Sequence, residues 1–325
     1  MPLSIDKKAI LKKRLKITLI TSSSIILFLM ISFVSLAIYV GYKVTNPKVM
    51  GINQHPFDYG LTFEDVSFTT SDGVTLKGWW IPDPDGETVY SEKAVIFAHG
   101  YGHNRVMLNR LKLAKTLTKE GYSVLMFDFR NSGLSQKDES TIGLKEQIDL
   151  MTAINFVAKE KGIKNIGLMG WSMGASTSIV TGVKSKYVKA VIADSPFADL
   201  EKYSKESFTK WTGLPSFLAT GVTVIVEHFT ELQTEKVKPV AAAKKYNDEK
   251  GLFLIHNKQD GRIPYKQSEI INNEATNSEI WTPAKGGHIR TYQHYQKQYE
   301  EKTIAFLNKY MEPTSYYKKT VTKKS

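Results

Sequence analysis

A chain of 325 residues with 42% hydrophobic residues, including 15 Phe, 16 Tyr and 5 Trp, has apolar surface for one large core plus appendages, which excludes a disordered chain. It contains no cysteine, so disulfides, thiolate nucleophiles and Cys-held metals are excluded, and export is neither required nor forbidden. Of the net charge of +12, +6 lies within residues 1–43 and +4 on Lys318, Lys319, Lys323 and Lys324; the body between, at only +2, lacks the clustered Lys/Arg of a nucleic-acid groove.

The chain opens with a basic segment, residues 1–16, followed at 17–42 by ITLITSSSIILFLMISFVSLAIYVGY, which carries no charged side chain. A helix crosses the hydrocarbon core in roughly 20 residues, so the run predicts a membrane span with the basic segment cytoplasmic and the rest outside. Its hydroxyl side chains can bond to carbonyls of their own helix. A cleaved signal peptide is the rival, with Ser35-Leu36-Ala37 as a weak cleavage site, but signal-peptide apolar regions run to only ~7–15 residues. Residues 43–61, rich in Asn, Pro and Gly, read as a spacer.

From there the pattern alternates. LTFEDVSFTTSDGVTLKGWWIPD predicts a hairpin about Ser71-Asp72-Gly73. KAVIFAHG (93–100), YSVLMFDF (122–129), NIGLMG (165–170), KAVIADSP (189–196), GLFLIHN (251–257) and EIWTPA (279–284) are short apolar strands. Helical patterns fall between them, among them 144–162 with Leu144, Ile148, Met151, Ile154 and Val157 on related faces. Strands alternating with helices predict an α/β fold: a mostly parallel sheet with helices on both faces and ligands at the strands' carboxyl ends. The aromatic-rich stretch 197–240 is too long for a connection and predicts a helical cap over that edge. The domain is expected over 62–312, with a basic tail at 313–325.

Gly170-Trp171-Ser172-Met173-Gly174 falls between a strand and a helix. G-x-S-x-G in that setting is a nucleophile elbow, a turn tight enough to need small residues two places either side of the serine. An ordinary helix N-cap is the alternative, but it leaves the glycines unexplained. A serine needs a base, and the base a partner that fixes its tautomer. His288, in AKGGH after the last strand, is the candidate base; Asp260, in HNKQDGRIP, is the candidate acid, with Asp194 at the end of KAVIADSP as its rival. The order Ser172, Asp260, His288 is that of nucleophile-elbow hydrolases. The oxyanion-hole candidates are the backbone amides of Met173 and of Tyr101, in HGYGH, whose phenol could also point inward. His99 and His103 suit shaping of that loop, Asp128 and Arg130 an ion pair or loop brace, and Tyr292, Tyr295 and Tyr299 packing; His55, His228 and His294 are decoys.

HGYG, DFRNSGLS, GWSMGA, HNKQDGRIP and GGH together span residues 62–312 and resemble the α/β-hydrolase superfamily. The likeness is to its bacterial membrane-anchored serine hydrolases related to prolyl-oligopeptidase-like esterases. That resemblance implies the α/β-hydrolase fold and hydrolysis of a small-molecule or peptide acyl substrate, an ester, thioester or amide, through an acyl-enzyme and without metal or organic cofactor. A carboxylesterase fits first. A peptidase, an acyltransferase and a catalytically silent surface-binding protein are the alternatives. Two positions depart from the family pattern: Asn257 and Asn131 stand where glycine is usual, and asparagine tolerates left-handed backbone.

Overall fold

The computed structural model describes residues 7–83 and 92–311; the Lys-rich tail and the first residues of the basic segment lie outside them. A single sheet runs β1 (Glu64–Thr69), β2 (Thr75–Ile81), β3 (Lys93–Ala98), β4 (Ser123–Phe127), β5 (Asn165–Trp171), β6 (Val188–Asp194), β7 (Gly251–Ile255) and β8 (Ser278–Trp281). The spatial order is β1-β2-β4-β3-β5-β6-β7-β8. The predicted hairpin forms the antiparallel edge, β1 on β2 and β2 on β4, with Gly73 in the turn at φ +89°. From β4 to β8 every pairing is parallel. This is the α/β-hydrolase fold.

The helices are α1 (Lys7–Thr45), α2 (Arg110–Lys119), α3 (Glu146–Lys159), α4 (Met173–Gly182), α5 (Leu200–Thr212), α6 (Ala219–Phe229), α7 (Pro239–Ala243), α8 (Lys266–Glu274), α9 (Thr291–His294) and α10 (Gln296–Met311). Because side chains alternate across a strand, a strand covered on both faces reads as a continuous apolar run. Ala94, Ile96, Ala98, Leu168 and Val191 pack toward α3 and α4, whereas their neighbours Val95, Phe97, Met169 and Ile192 pack toward α2 and α10. On α3 the fully buried stripe is Leu150, Ala153, Ile154 and Val157, so the inward face is turned from the predicted one; Ile148 and Met151 are only half-buried.

Helix α1 is long and apolar enough to cross a membrane, and Thr21 and Ser32 hydroxyls bond back to the carbonyls of Ile17 and Phe28 at 3.0 and 2.8 Å. Residues 17–32 are exposed, while Phe33, Ala37, Val40 and Val44 form a stripe packed on α5 and α6. The expected spacer lies against the domain: Asn104 donates to the carbonyls of Met50 and Gly51, and His55 packs edge-on to Trp79 at 5.0 Å.

Asp128 and Arg130 are loop braces, as expected, but they do not pair with each other. Asp128 accepts from the Arg105 guanidinium at 2.6 Å, with both side chains buried. Arg130 meets Asp149 at 2.6 Å and Asp72 and Asp138 at 2.9 Å, tying the hairpin turn to α3. Asn131, at φ +54°, takes the left-handed backbone expected of its glycine-like position.

Burial opposes the charge on Asp72, but hydrogen bonds from Arg130 and Thr70 outweigh it and bring the carboxyl from 3.8 down to about 2. A carboxylate whose pKa falls on folding stabilises fully above its unfolded value, and the stabilisation is lost as pH drops through the folded value. Asp72→Asn should therefore lower stability at neutral pH and flatten its decline between about pH 4 and pH 2, read as urea midpoints in detergent. An unchanged acid profile would contradict this.

Candidate active site

The site begins with register. Trp171 of β5 stands beside Asp194 of β6, which stands beside Ile255 of β7, so the three strands end level. The next amides continue the ladder: Ser172 N–H donates to Asp194 O and Ser195 N–H to Ile255 O, each at 2.8 Å, and His256 N–H to Trp281 O at 3.0 Å. Ser172 is thereby fixed one residue past its strand, at the carboxyl edge of the sheet.

There the backbone turns at φ +55°, ψ −118°, a conformation that a non-glycine residue holds only when its surroundings impose it. The surroundings are close. A Cβ at Gly170 would overlap the carbonyl of Gly174, and one at Gly174 would overlap the carbonyls of Ala98 and His99. The flanking glycines are needed because α4 starts in contact with its own strand and with the end of β3.

His288 Nε2 lies 2.8 Å from Ser172 Oγ, and its Nδ1 lies 2.7 Å from Asp260 Oδ2. A neutral imidazole with its proton on Nδ1 satisfies both bonds, donating to the carboxylate and accepting from the hydroxyl. Asp260 is buried, which opposes its charge. Hydrogen bonds from His256 and His288 outweigh that and hold the carboxyl well below the usual carboxylate range. Its other oxygen accepts from the Arg262 and Ile263 amides at 2.8 and 2.9 Å.

The rival acid, Asp194, is elsewhere. It accepts from Tyr299 Oη at 3.0 Å and from Ser195 Oγ at 2.9 Å, and it makes no bond to His288. Tyr299 and Tyr292 are buried packing residues, as expected, and each also donates a hydrogen bond, to Asp194 and Glu300. His294 and His228 are exposed, away from the site.

Tyr101 and Met173 both line the cavity over Ser172, and among the described residues neither backbone amide donates to a protein acceptor. The Tyr101 phenol does not point inward. It donates to the carbonyl of Val44, at the end of α1, at 2.6 Å. His99 braces the loop: its Nε2 accepts from the Phe129 amide at 3.0 Å, which leaves Nδ1 to donate to Gly100 O at 2.9 Å, and burial lowers its pKa to match that neutral form. Burial, reinforced by His99, Arg262 and His288, takes His103 down to about 4.

Asn257 does something its sequence position did not suggest. Its backbone is not left-handed; instead its side chain grips the loop that carries His288, accepting from the Gly287 amide at 2.9 Å and donating to the Gly287 carbonyl. Gly286 and Gly287 hold φ of +147° and +74°, the freedom that brings the imidazole back over Ser172. Arg110 was also missed: fully buried, it stacks on Trp171 with its guanidinium carbon 4.2 Å from the ring centroid and donates to Ile289 O at 3.0 Å.

A sequence profile of the prolyl oligopeptidase family matches residues 109–314, most of the catalytic-size domain and all three of Ser172, Asp260 and His288. The chain belongs to that family. It is a serine hydrolase of the α/β-hydrolase fold. Among structures, it is similar to the esterase Pf2001 of Pyrococcus furiosus, at 31% identity and a TM-score of 0.66, covering 83% of this chain and 99% of that one. Among sequences, it is 27% identical to the uncharacterised protein YfhR of Escherichia coli over 77% of this chain and 82% of that protein. The uncharacterised protein YqkD of Bacillus subtilis is 24% identical over 86% and 92%.

The elbow makes a direct prediction for this prolyl oligopeptidase relative. Gly174→Ala places a methyl against backbone carbonyls that cannot rotate away, so it should cost at least the ~1–3 kcal/mol typical of overpacking and lower Tm in a thermal melt. An unchanged Tm would show that α4 can draw back from β3.

Proposed function

We propose that the protein is a carboxylesterase-type serine hydrolase, tethered by α1 with its basic segment in the cytoplasm and its catalytic domain outside. The observation that carries the catalytic reading is one imidazole bonded at once to Ser172 Oγ and Asp260 Oδ2, at 2.8 and 2.7 Å. Ser172 attacks the acyl carbon while its proton passes to His288 Nε2. The Nδ1–H bond to Asp260 fixes the tautomer and stabilises the imidazolium. The amides of Tyr101 and Met173 receive the developing oxyanion. His288 then returns the proton to the departing alcohol, and water repeats the sequence on the acyl-enzyme, releasing the acid and restoring Ser172.

The cavity over Ser172, about 360 Å³, is of a size for a small ligand. Its walls include Val44, Ile142, Phe197, Tyr203, Trp211 and Ile263; Lys43 and Arg262 also line it, and among the described residues no carboxylate does. An acyl chain suits such walls, whereas the free amine of a peptide would meet no counter-charge. The similarity to an esterase supports the same choice over a peptidase.

Ser172→Ala should reduce p-nitrophenyl butyrate turnover to background while Tm stays at the parent value. Turnover by the pure variant at the parent rate would refute the assignment of Ser172.

A further inference from the structure

The depth of α1 in a bilayer can be counted along the chain. Lys16 is the last charged residue before the apolar run, and a hydrocarbon core of ~30 Å takes roughly 20 helical residues, which places its far boundary near Leu36. The domain does not wait for that boundary. Phe33 already packs against α6, its ring 3.1 Å from where a Cβ on Gly221 would stand; Ala37 is buried among cap residues; a Cβ on Gly41 would stand 3.3 Å from the Val226 and Thr230 side chains. The order Phe33–Gly221, then Gly41–Val226, means that α6 runs alongside α1 in the same direction. Its N-terminal end is the membrane-proximal one.

That end is composed for a membrane interface. From Trp211 to Val226 the cap has sixteen successive residues without a charged side chain. Within them Phe217 is 81% exposed, Val224 61% and Trp211 41%, an apolar lip that no part of the described chain covers. Lys43 and Val44, at the end of the anchor, line the cavity over Ser172 together with Trp211 of the cap. At 1.5 Å per residue they lie ~10 Å beyond Leu36, a few ångströms past the headgroup layer. The cavity thus opens between the anchor and the lip, beside the bilayer.

We propose that the 211–226 lip is immersed in the adjoining leaflet and that the cavity draws its substrate from it: a membrane-resident, single-chain acyl ester that enters between the end of α1 and Trp211 of α5. This rests on the esterase and anchor readings above and specifies the substrate class for them. The cavity volume of about 360 Å³ admits one acyl chain, and its walls keep that chain out of water.

The test uses the full-length chain reconstituted in phosphatidylcholine–phosphatidylglycerol vesicles. The absence of native cysteine allows a single thiol at Phe217→Cys to carry an environment-sensitive fluorophore, with exposed Lys119→Cys, at the C-terminal end of α2, as its counterpart. The Phe217 label should emit blue-shifted and be quenched by spin-labelled lipid, and the Lys119 label should not. Phe217 is exposed, so Phe217→Asp should fold. It should leave kcat/KM on soluble p-nitrophenyl butyrate unchanged and lower hydrolysis of vesicle-borne monooleoylglycerol at least about tenfold, a difference of ~1.4 kcal/mol. An unquenched Phe217 label, or equal effects of Phe217→Asp on the two esters, would overturn membrane entry while soluble-ester turnover still upheld the hydrolase. A wild-type protein inert toward both esters would overturn the esterase reading and this inference with it.

Discussion

The close approach of α4 to the end of β3 is the constraint on which the site depends. Gly170 and Gly174 let the backbone fold back on itself so tightly that Ser172 is forced to φ +55°. That single turn places the hydroxyl one residue past the carboxyl end of β5 and brings the HGYG loop of β3 alongside, with the position of a Gly100 Cβ 3.3 Å from Ser172 Cβ. The strain is held by ladder bonds from Ser172 N–H and Ser195 N–H into the adjoining strands. The rest of the constellation is built to meet it. Asp260 is anchored by two backbone amides, and the His288 loop is gripped by Asn257, so neither group has to be ordered when substrate arrives.

A second dependence joins α1 to the candidate site. The end of α1 is built into the domain: Val44 O accepts from the Tyr101 phenol, Thr45 O accepts from the Ser140 amide at 2.8 Å and from Asn131 Nδ2 at 3.2 Å, and Lys43 and Val44 form a wall of the cavity. Tyr101 therefore connects α1 to the loop after β3, which lines the cavity. In the proposed enzyme the pocket is complete only with the anchor in place.

The sheet was legible in the sequence because its inner parallel strands, β3 to β7, are short, apolar and bounded by turn residues, and because both faces being covered removes any polar alternation. The elbow and the order Ser172, Asp260, His288 were legible because a strained turn and two glycine-bearing loops constrain residue type locally. What the sequence hid depends on contacts between distant segments. Nothing near Asn257 points to Gly287, thirty residues away, so its side-chain grip was invisible and its backbone was misjudged. Arg130 was paired by proximity with Asp128, whereas its partners Asp72, Asp138 and Asp149 come from three other places in the chain. The stripe Phe33, Ala37, Val40 and Val44 was masked because no charged side chain stands between Lys16 and Lys43, so no charged face sets off the side that docks on the cap.

The central claim is that Ser172 is a pre-activated nucleophile, its hydroxyl hydrogen-bonded to an imidazole that Asp260 orients. Covalent labelling with a fluorophosphonate, followed by peptide mass mapping, tests this most directly, because the reagent is attacked by an activated serine and not by a capping one. The account predicts a single adduct on the peptide carrying Ser172 in the folded protein, lost on denaturation and in His288→Ala. A folded protein that takes up no label, or one that carries it on another serine, would contradict it.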